Sequence, residues 1–314
     1  MRKKCLDQVY EQAKKDTRIF FIGSDLGFGT LDQFKKEMPD RFFMEGVSEA
    51  SIIGMAAGLA LEGKIVYVNT IATFITRRCY EQVVLDLGLH NANVRLIGNG
   101  GGVVYAPLGP THLAIDDLAI MRAVPNMTIV APCDADEMAR LMPLTVDHKG
   151  PMYIRLGKGG DPIVSTGAAP FQIGRAIPMT AGDDVLLVST GITLKTALDA
   201  AERLKPQGIS ATVLHMPTVK PIDVDALLWH AAHVDAIVTI EEHTILGGLG
   251  GAVAEILAEA AFDPAKRFKR IGIPDVFPHG YGSQATMMAQ LQITVERTMA
   301  VVQELLAVRP ARAR

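Results

Sequence analysis

One acid is set apart by its surroundings. The stretch GVSEASIIGMAAGLALEG, residues 46–63, is small and apolar almost throughout and reads as a helix made to be buried, yet Glu49 sits near its start. One explanation is local: an acid in a first turn favours the positive end of the helix dipole, and Ser48 offers a cap. The other is that the acid has work to do, and the rest of the chain must decide between them. A second cluster, Glu241-Glu242-His243, falls at a strand end and looks like a site, although a structural role fits it better. The glycine-rich loops GNGGG (98–102) and GGLGG (247–251) invite a nucleotide. The dinucleotide fingerprint needs three glycines in register between a strand and a helix. GGLGGAV lacks the third, so tight turns and close helix–sheet packing explain these glycines better. There is no Walker-type GKS or GKT, no HExxH and no EF-hand loop, so no metal site made by this chain alone is expected.

The elements that must position these groups alternate along the chain. IFFIGSDL (19–26), KIVYVNT (64–70), NVRLIGNGGG (93–102) and MTIVAP (127–132) read as strands, with helical segments at 48–61, 80–90 and 134–147. This predicts an α/β fold with a mostly parallel sheet, whose sites lie at the carboxyl ends of strands, near Ser24, Thr70, Gly100 and Pro132. The proline- and glycine-rich run 162–184 breaks the pattern and reads as an interdomain linker. The alternation then resumes, with strands at 184–190, 210–216, 236–242 and 268–274 and helices at 193–204, 223–232 and 250–260. The expectation is two doubly wound sheet domains: 1–165, a linker over 166–183, a smaller domain over 184–308, and a flexible tail over 309–314.

Bulk composition agrees. The 314 residues are 49% hydrophobic and 21% charged, with a formal net charge of −3, which implies no general attraction to nucleic acid or anionic membrane. Cys5, Cys79 and Cys133 are far apart and form no CxxC pair, so neither a zinc knuckle nor a disulfide framework is suggested. The N-terminal MRKKCLDQVYEQAKKD lacks the apolar core of a signal peptide, and no apolar run is long enough to span a bilayer. A reduced, cytoplasmic protein is expected.

Four pieces in fixed order carry a family resemblance: GVSEASIIGMAAGLALEG, ATFITRRCYEQVVLDLGLHNANV (72–94), GPTHLAIDDLAIMRAVPNMTIVAPCDADE (109–137), and TVKPID (218–223) followed by EEHTILGGLGGAVAE (241–255). Together they resemble the C-terminal half of transketolases, a pyrimidine-binding domain followed by the transketolase C-terminal domain. These thiamine diphosphate enzymes also need a diphosphate-binding domain marked by Gly-Asp-Gly, which is absent from this sequence. The resemblance therefore implies one subunit of a split transketolase. An N-terminal, diphosphate-binding partner subunit would hold Mg2+ or Ca2+, share thiamine diphosphate with this chain, and assemble with it as a heterotetramer of two copies of each. The reaction implied is transfer of a two-carbon ketol unit between sugar phosphates.

Carried over residue by residue, Glu49 matches the glutamate that meets the aminopyrimidine ring of the cofactor. Burial in an apolar wall would let it hold and donate a proton. Phe74 matches the aromatic that stacks on that ring, with Ile71 where related enzymes often carry another aromatic, and Arg77 is a further cation near the pocket. His112, in GPTH, matches a histidine near the reacting carbons. Ser24, Arg155 and Arg2 match positions that hold the sugar phosphate; a guanidinium at a strand end, as at Arg155, can grip an oxyanion bidentately.

Two positions depart from the family. Leu108 stands where transketolases carry an aspartate that recognises a hydroxyl, and Gly100 where many carry a phosphate-contacting histidine. A less polar, less cationic pocket implies an atypical donor or acceptor: shorter, deoxygenated or without a terminal phosphate. The alternatives within the resemblance are the beta subunit of a 2-oxo acid dehydrogenase and a 1-deoxyxylulose-5-phosphate synthase-like enzyme. The GPTH segment favours transketolase over the former.

Overall fold

The computed structural model describes residues 1–24, 31–157, 159–165 and 170–307. The expected tail at 309–314 lies outside them. The apolar runs form strands covered on both faces, which is why they show so little polar alternation. The first half of the chain supplies β1 (Ile19–Gly23), β2 (Phe42–Met44), β3 (Ile65–Ile71), β4 (Val94–Asn99), β5 (Thr128–Val130) and β6 (Met152–Leu156). Every residue of β3 and β4 is buried. The second half supplies β7 (Ile177–Thr180), β8 (Val185–Ser189), β9 (Ala211–His215), β10 (Thr218–Lys220), β11 (Ala236–Thr244) and β12 (Arg267–Ile273).

Among the described residues these strands form two sheets, ordered β10-β5-β6-β4-β3-β1-β2 and β12-β11-β8-β9-β7. Two strands depart from the expected layout. β7 lies inside the span expected to be a linker and pairs antiparallel with β9. β10 belongs by sequence to the second half but pairs antiparallel with β5, so it completes an edge of the first sheet. Lys220, at its end, donates to the carbonyls of Arg122 and Val124. The stitching goes both ways, because Val103, Ala106, Leu113, Ile115 and Cys133 sit in the core of the second sheet. The backbone Gly191 N–H also donates to the Ala131 carbonyl.

The helix Glu49–Leu61 lies between β2 and β3 in sequence and packs against β3. Its buried positions are 49, 52, 53, 56 and 57, one helical stripe. The other face is open: Ala50, Ser51, Gly54, Gly58 and Leu61 are exposed, so the helix expected to be wholly buried is covered on one side. The expected helix 80–90 is one turn, Tyr80–Gln82, running into a wider π-helix, Val83–Leu89. Crowding accompanies it: a Cβ on Gly88 would lie 2.8 Å from Val124 Cγ1. The expected helix 134–147 is divided into Ala135–Leu141 and Leu144–Asp147, with Pro143 at the break.

Candidate functional site

The carboxyl ends of β3 and β4 open onto the face where the Glu49 helix begins. Glu49 is the first residue of that helix and only 1% exposed. Ser48 does not cap it; its hydroxyl donates to the Glu45 carbonyl instead. Dipole and cap are thus not what holds this acid. Its carboxylate takes a hydrogen bond from Arg78 Nη1 at 2.8 Å. The Arg78 guanidinium in turn lies over the Phe74 ring, 3.9 Å from its centroid. Beyond that ring, His112 meets Phe74 edge-on at 5.3 Å between centroids. Acid, planar cation, aromatic ring and imidazole therefore follow one another in contact.

The local backbone explains the order. β3 ends at Ile71, and a short helix, Ala72–Thr76, starts at once. Phe74 rides on that helix, and Arg78 follows four residues later, the spacing that brings side chains together on one face. His112 is tied to the same helix by Thr73, whose hydroxyl donates to its carbonyl at 3.1 Å. Thr111 Oγ1 and His112 Nδ1 lie 2.9 Å apart.

The other residues singled out by sequence fall in different places. Arg77 points away from its neighbour: its guanidinium reaches the Leu113 carbonyl and lies 3.8 Å from Asp116. That pair lines a cleft of about 380 Å³ between the halves of the chain, with Thr244, Leu246 and Phe277 opposite. Burial raises the Asp116 carboxyl above the ordinary range, and Arg77 opposes the shift. Ile71 is buried at the end of β3. Ser24, just past β1, is buried with its hydroxyl 2.7 Å from that of Thr70. Leu108 is 50% exposed in the turn Ala106–Leu108. Arg2 is exposed in the first turn of the helix Arg2–Ala13, whose preceding residue, Met1, packs beside Gly157 just past β6.

Two expectations change. Arg155 does not present a free guanidinium to an oxyanion. It is buried, and it grips both oxygens of Asp117, Nε to Oδ2 at 2.8 Å and Nη2 to Oδ1 at 3.1 Å. Nη2 also donates to the Glu242 carbonyl, and Tyr153 completes the set by donating to Asp117. Burial alone would raise the Asp117 carboxyl, but the Arg155 charge wins and holds it below its ordinary value. Gly100 is not an open position either. Its φ is +72°, and a Cβ there would lie 2.2 Å from the Tyr105 ring. GNGGG is a packing device, since Gly101 and Gly102 are likewise pressed against Arg155 and Glu242.

The Glu241-Glu242-His243 cluster is buried structure. Glu241 accepts from the first backbone N–H groups of the helix Leu249–Glu259. Glu242 reaches the other half of the chain, accepting from Val103 N–H and from Gln284 Nε2. Burial pushes both carboxyls up to about 7. His243 is pushed down to about 4 by burial and stays neutral, with Nδ1 donating to the Thr244 carbonyl and Nε2 accepting from Ala119 N–H. Sequence reading missed Arg78. The signal was present in its i, i+4 relation to Phe74, but two adjacent arginines cannot be ranked before the turn is known.

Comparison with known proteins places these features. Residues 1–160 match the family model described as "Transketolase, pyrimidine binding domain", and residues 174–297 the one described as "Transketolase, C-terminal domain". One of the two chains of an apulose-4-phosphate transketolase from Phocaeicola vulgatus is 39% identical over 276 residues, covering 87% of each sequence. A 6-deoxy-6-sulfo-D-fructose transketolase subunit from a Clostridium species is 37% identical over 292 residues, covering 91% of each. A solved structure described as a split-gene transketolase, in an inactive beta4 tetramer, is 34% identical. It superposes with a TM-score of 0.89 over 98% of this chain and 99% of the other.

Proposed function

The chain belongs to the transketolase family as the pyrimidine-domain and C-terminal-domain subunit of a split enzyme, and on that premise we propose that it moves a two-carbon ketol unit between sugar substrates once a partner subunit joins it. The observation that carries the proposal is the convergence of a buried carboxylate, Glu49, and an aromatic face, Phe74, on one flat, donor-bearing group, the Arg78 guanidinium. An aminopyrimidine is also flat and bears hydrogen-bond donors. The residues present therefore fit that part of thiamine diphosphate.

When bound, thiamine diphosphate supplies an electron sink that stabilises negative charge beside a carbonyl. The work of this chain is to place and protonate. Glu49, held out of water, would keep a proton against a ring nitrogen of the aminopyrimidine. Phe74 would fix the plane of that ring. His112, with Nδ1 engaged by Thr111, would offer Nε2 to a substrate oxygen. Arg77 and Asp116 would line the approach from the cleft. Ser24 remains our candidate for contact with a substrate phosphate. We do not extend that role to Arg155, whose donors are committed, and Arg2 is at most a peripheral cation.

The diphosphate and its divalent metal would belong to the partner. The open face of the Glu49 helix, lined by Ala50, Gly54 and Gly58, suits close approach of another chain. We take the full assembly to be two copies of each chain, in the cytoplasm. Leu108 and Gly100 point to an uncommon sugar, and two relatives are named for such sugars, one of them a 6-deoxy compound.

The test is reconstitution with a partner bearing Gly-Asp-Gly. Thiamine-dependent ketol transfer should appear only in the complex, and Glu49→Gln should cut it by roughly a hundredfold or more with assembly intact. Full transfer by the Glu49→Gln complex would refute the assignment.

A further inference from the structure

We propose that Arg78 is a resident substitute for the cofactor's aminopyrimidine: it fills that subsite in the chain without cofactor, must leave when the cofactor binds, and so sets how tightly the cofactor is held. The inference rests on the reading of Glu49 and Phe74 given above and adds what stands between them.

The geometry is specific on three counts. Arg78 Nη1 lies 2.8 Å from Glu49 Oε2, so one face of the carboxylate is taken. Its Cζ lies 3.9 Å from the Phe74 centroid, so the ring face is taken as well. A guanidinium is planar, delocalised and rich in donors, and it stacks on aromatic rings as a flat heterocycle does. A second flat group cannot lie on the same face of Phe74 and bond the same carboxylate oxygen. Occupation by Arg78 and occupation by an aminopyrimidine therefore exclude each other.

The two partners differ in freedom. The Glu49 side chain is 1% exposed, whereas that of Arg78 is 44% exposed. A carboxylate taken out of water needs a partner, because an unpaired buried charge is strongly destabilising. Arg78 supplies one while the chain waits. It can also withdraw at little expense, since it follows the end of the helix Ala72–Thr76 and already reaches solvent. Arg77 does not share this role; it is directed at Asp116 and the Leu113 carbonyl. The apparent dissociation constant of a ligand rises in proportion as its competent state is depleted. A latch closed about nine-tenths of the time would weaken cofactor binding about tenfold.

Two experiments separate this inference from the reading beneath it. On the chain alone, thermal unfolding of Glu49→Gln, Arg78→Ala and the double variant reads the latch without cofactor. Arg78→Ala should be the least stable, and adding Glu49→Gln should restore much of the loss; additive effects would overturn the latch. On the two-chain complex, calorimetric titration with thiamine diphosphate should give a dissociation constant about tenfold lower for Arg78→Ala than for the native residue. Arg78→Lys, which keeps the ion pair but lacks a flat group to stack, should fall between them. Unchanged or weaker binding by Arg78→Ala would overturn the inference while leaving the function standing. Failure of both complexes to bind would bring down the functional reading, and this inference with it.

Discussion

Arg155 and Asp117 are locked together at both ends, Nε to Oδ2 and Nη2 to Oδ1, on the floor where the two halves of the chain meet. Arg155→Met would strand the Asp117 carboxylate in a buried site, and we expect a loss of about 3–5 kcal/mol in urea unfolding. Adding Asp117→Asn should return part of it. Were Arg155 a phosphate ligand instead, Arg155→Lys would leave stability unchanged and raise KM for phosphorylated substrates alone.

Glu242 links pH to the contact between the halves. Its carboxyl ionises at about 7 in the fold against an ordinary value of 4.5, because burial disfavours the charge. A raised folded value means that the folded state binds the proton more tightly. The contribution to stability is complete below about 4.5 and is lost as pH rises through about 7. Glu242→Gln can keep the bonds from Val103 and Gln284 without ionising. The variant should gain on the native protein by an amount on the order of a few kcal/mol between pH 4.5 and 8, read from parallel unfolding curves. Glu241 and His243 also titrate, but they do so in both proteins and drop out of the difference.

Gly100 should resist substitution. Its positive φ and the nearness of Tyr105 both oppose a side chain. Gly100→Ala should lower stability by about 1–3 kcal/mol, measurable as a reduced Tm. A histidine there would meet the same obstruction, so the variant resembling other transketolases should be no better.

Leu108 offers the opposite case. It is half exposed in its turn, so Leu108→Asp should leave the Tm within a degree or two. The added carboxylate can accept a hydrogen bond from a substrate hydroxyl. We expect kcat/KM to shift by about tenfold toward the more hydroxylated of two sugars, corresponding to one hydrogen bond. An unchanged preference would remove Leu108 from the specificity argument.

Much of this was legible in the residues. Parallel strands buried on both faces announce themselves as apolar runs, and IFFIG, KIVYVNT and NVRLIGN all became strands. Short edge strands did not. β7 was hidden in a stretch rich in proline and glycine, and β10 is three residues long with a partner distant in sequence. The acid at the mouth of its helix was visible, but its companion was not. Whether residue 77 or residue 78 turns toward Phe74 is decided by the turn that ends a five-residue helix. Arg155 misled because a strand-end arginine advertises an oxyanion, whereas its anion is Asp117, brought in by a fold contact that no local pattern encodes.

The strand exchange at β10 bears on how such a protein can be inherited. A break at the span joining its halves would free no self-sufficient piece. One fragment would carry an open row of backbone donors and acceptors along β5, the other a strand with nothing to pair, and such edges invite polymerisation. Recombination can therefore move these two sheets as a single cassette, but a crossover between them would have to bring its own replacement for the missing edge.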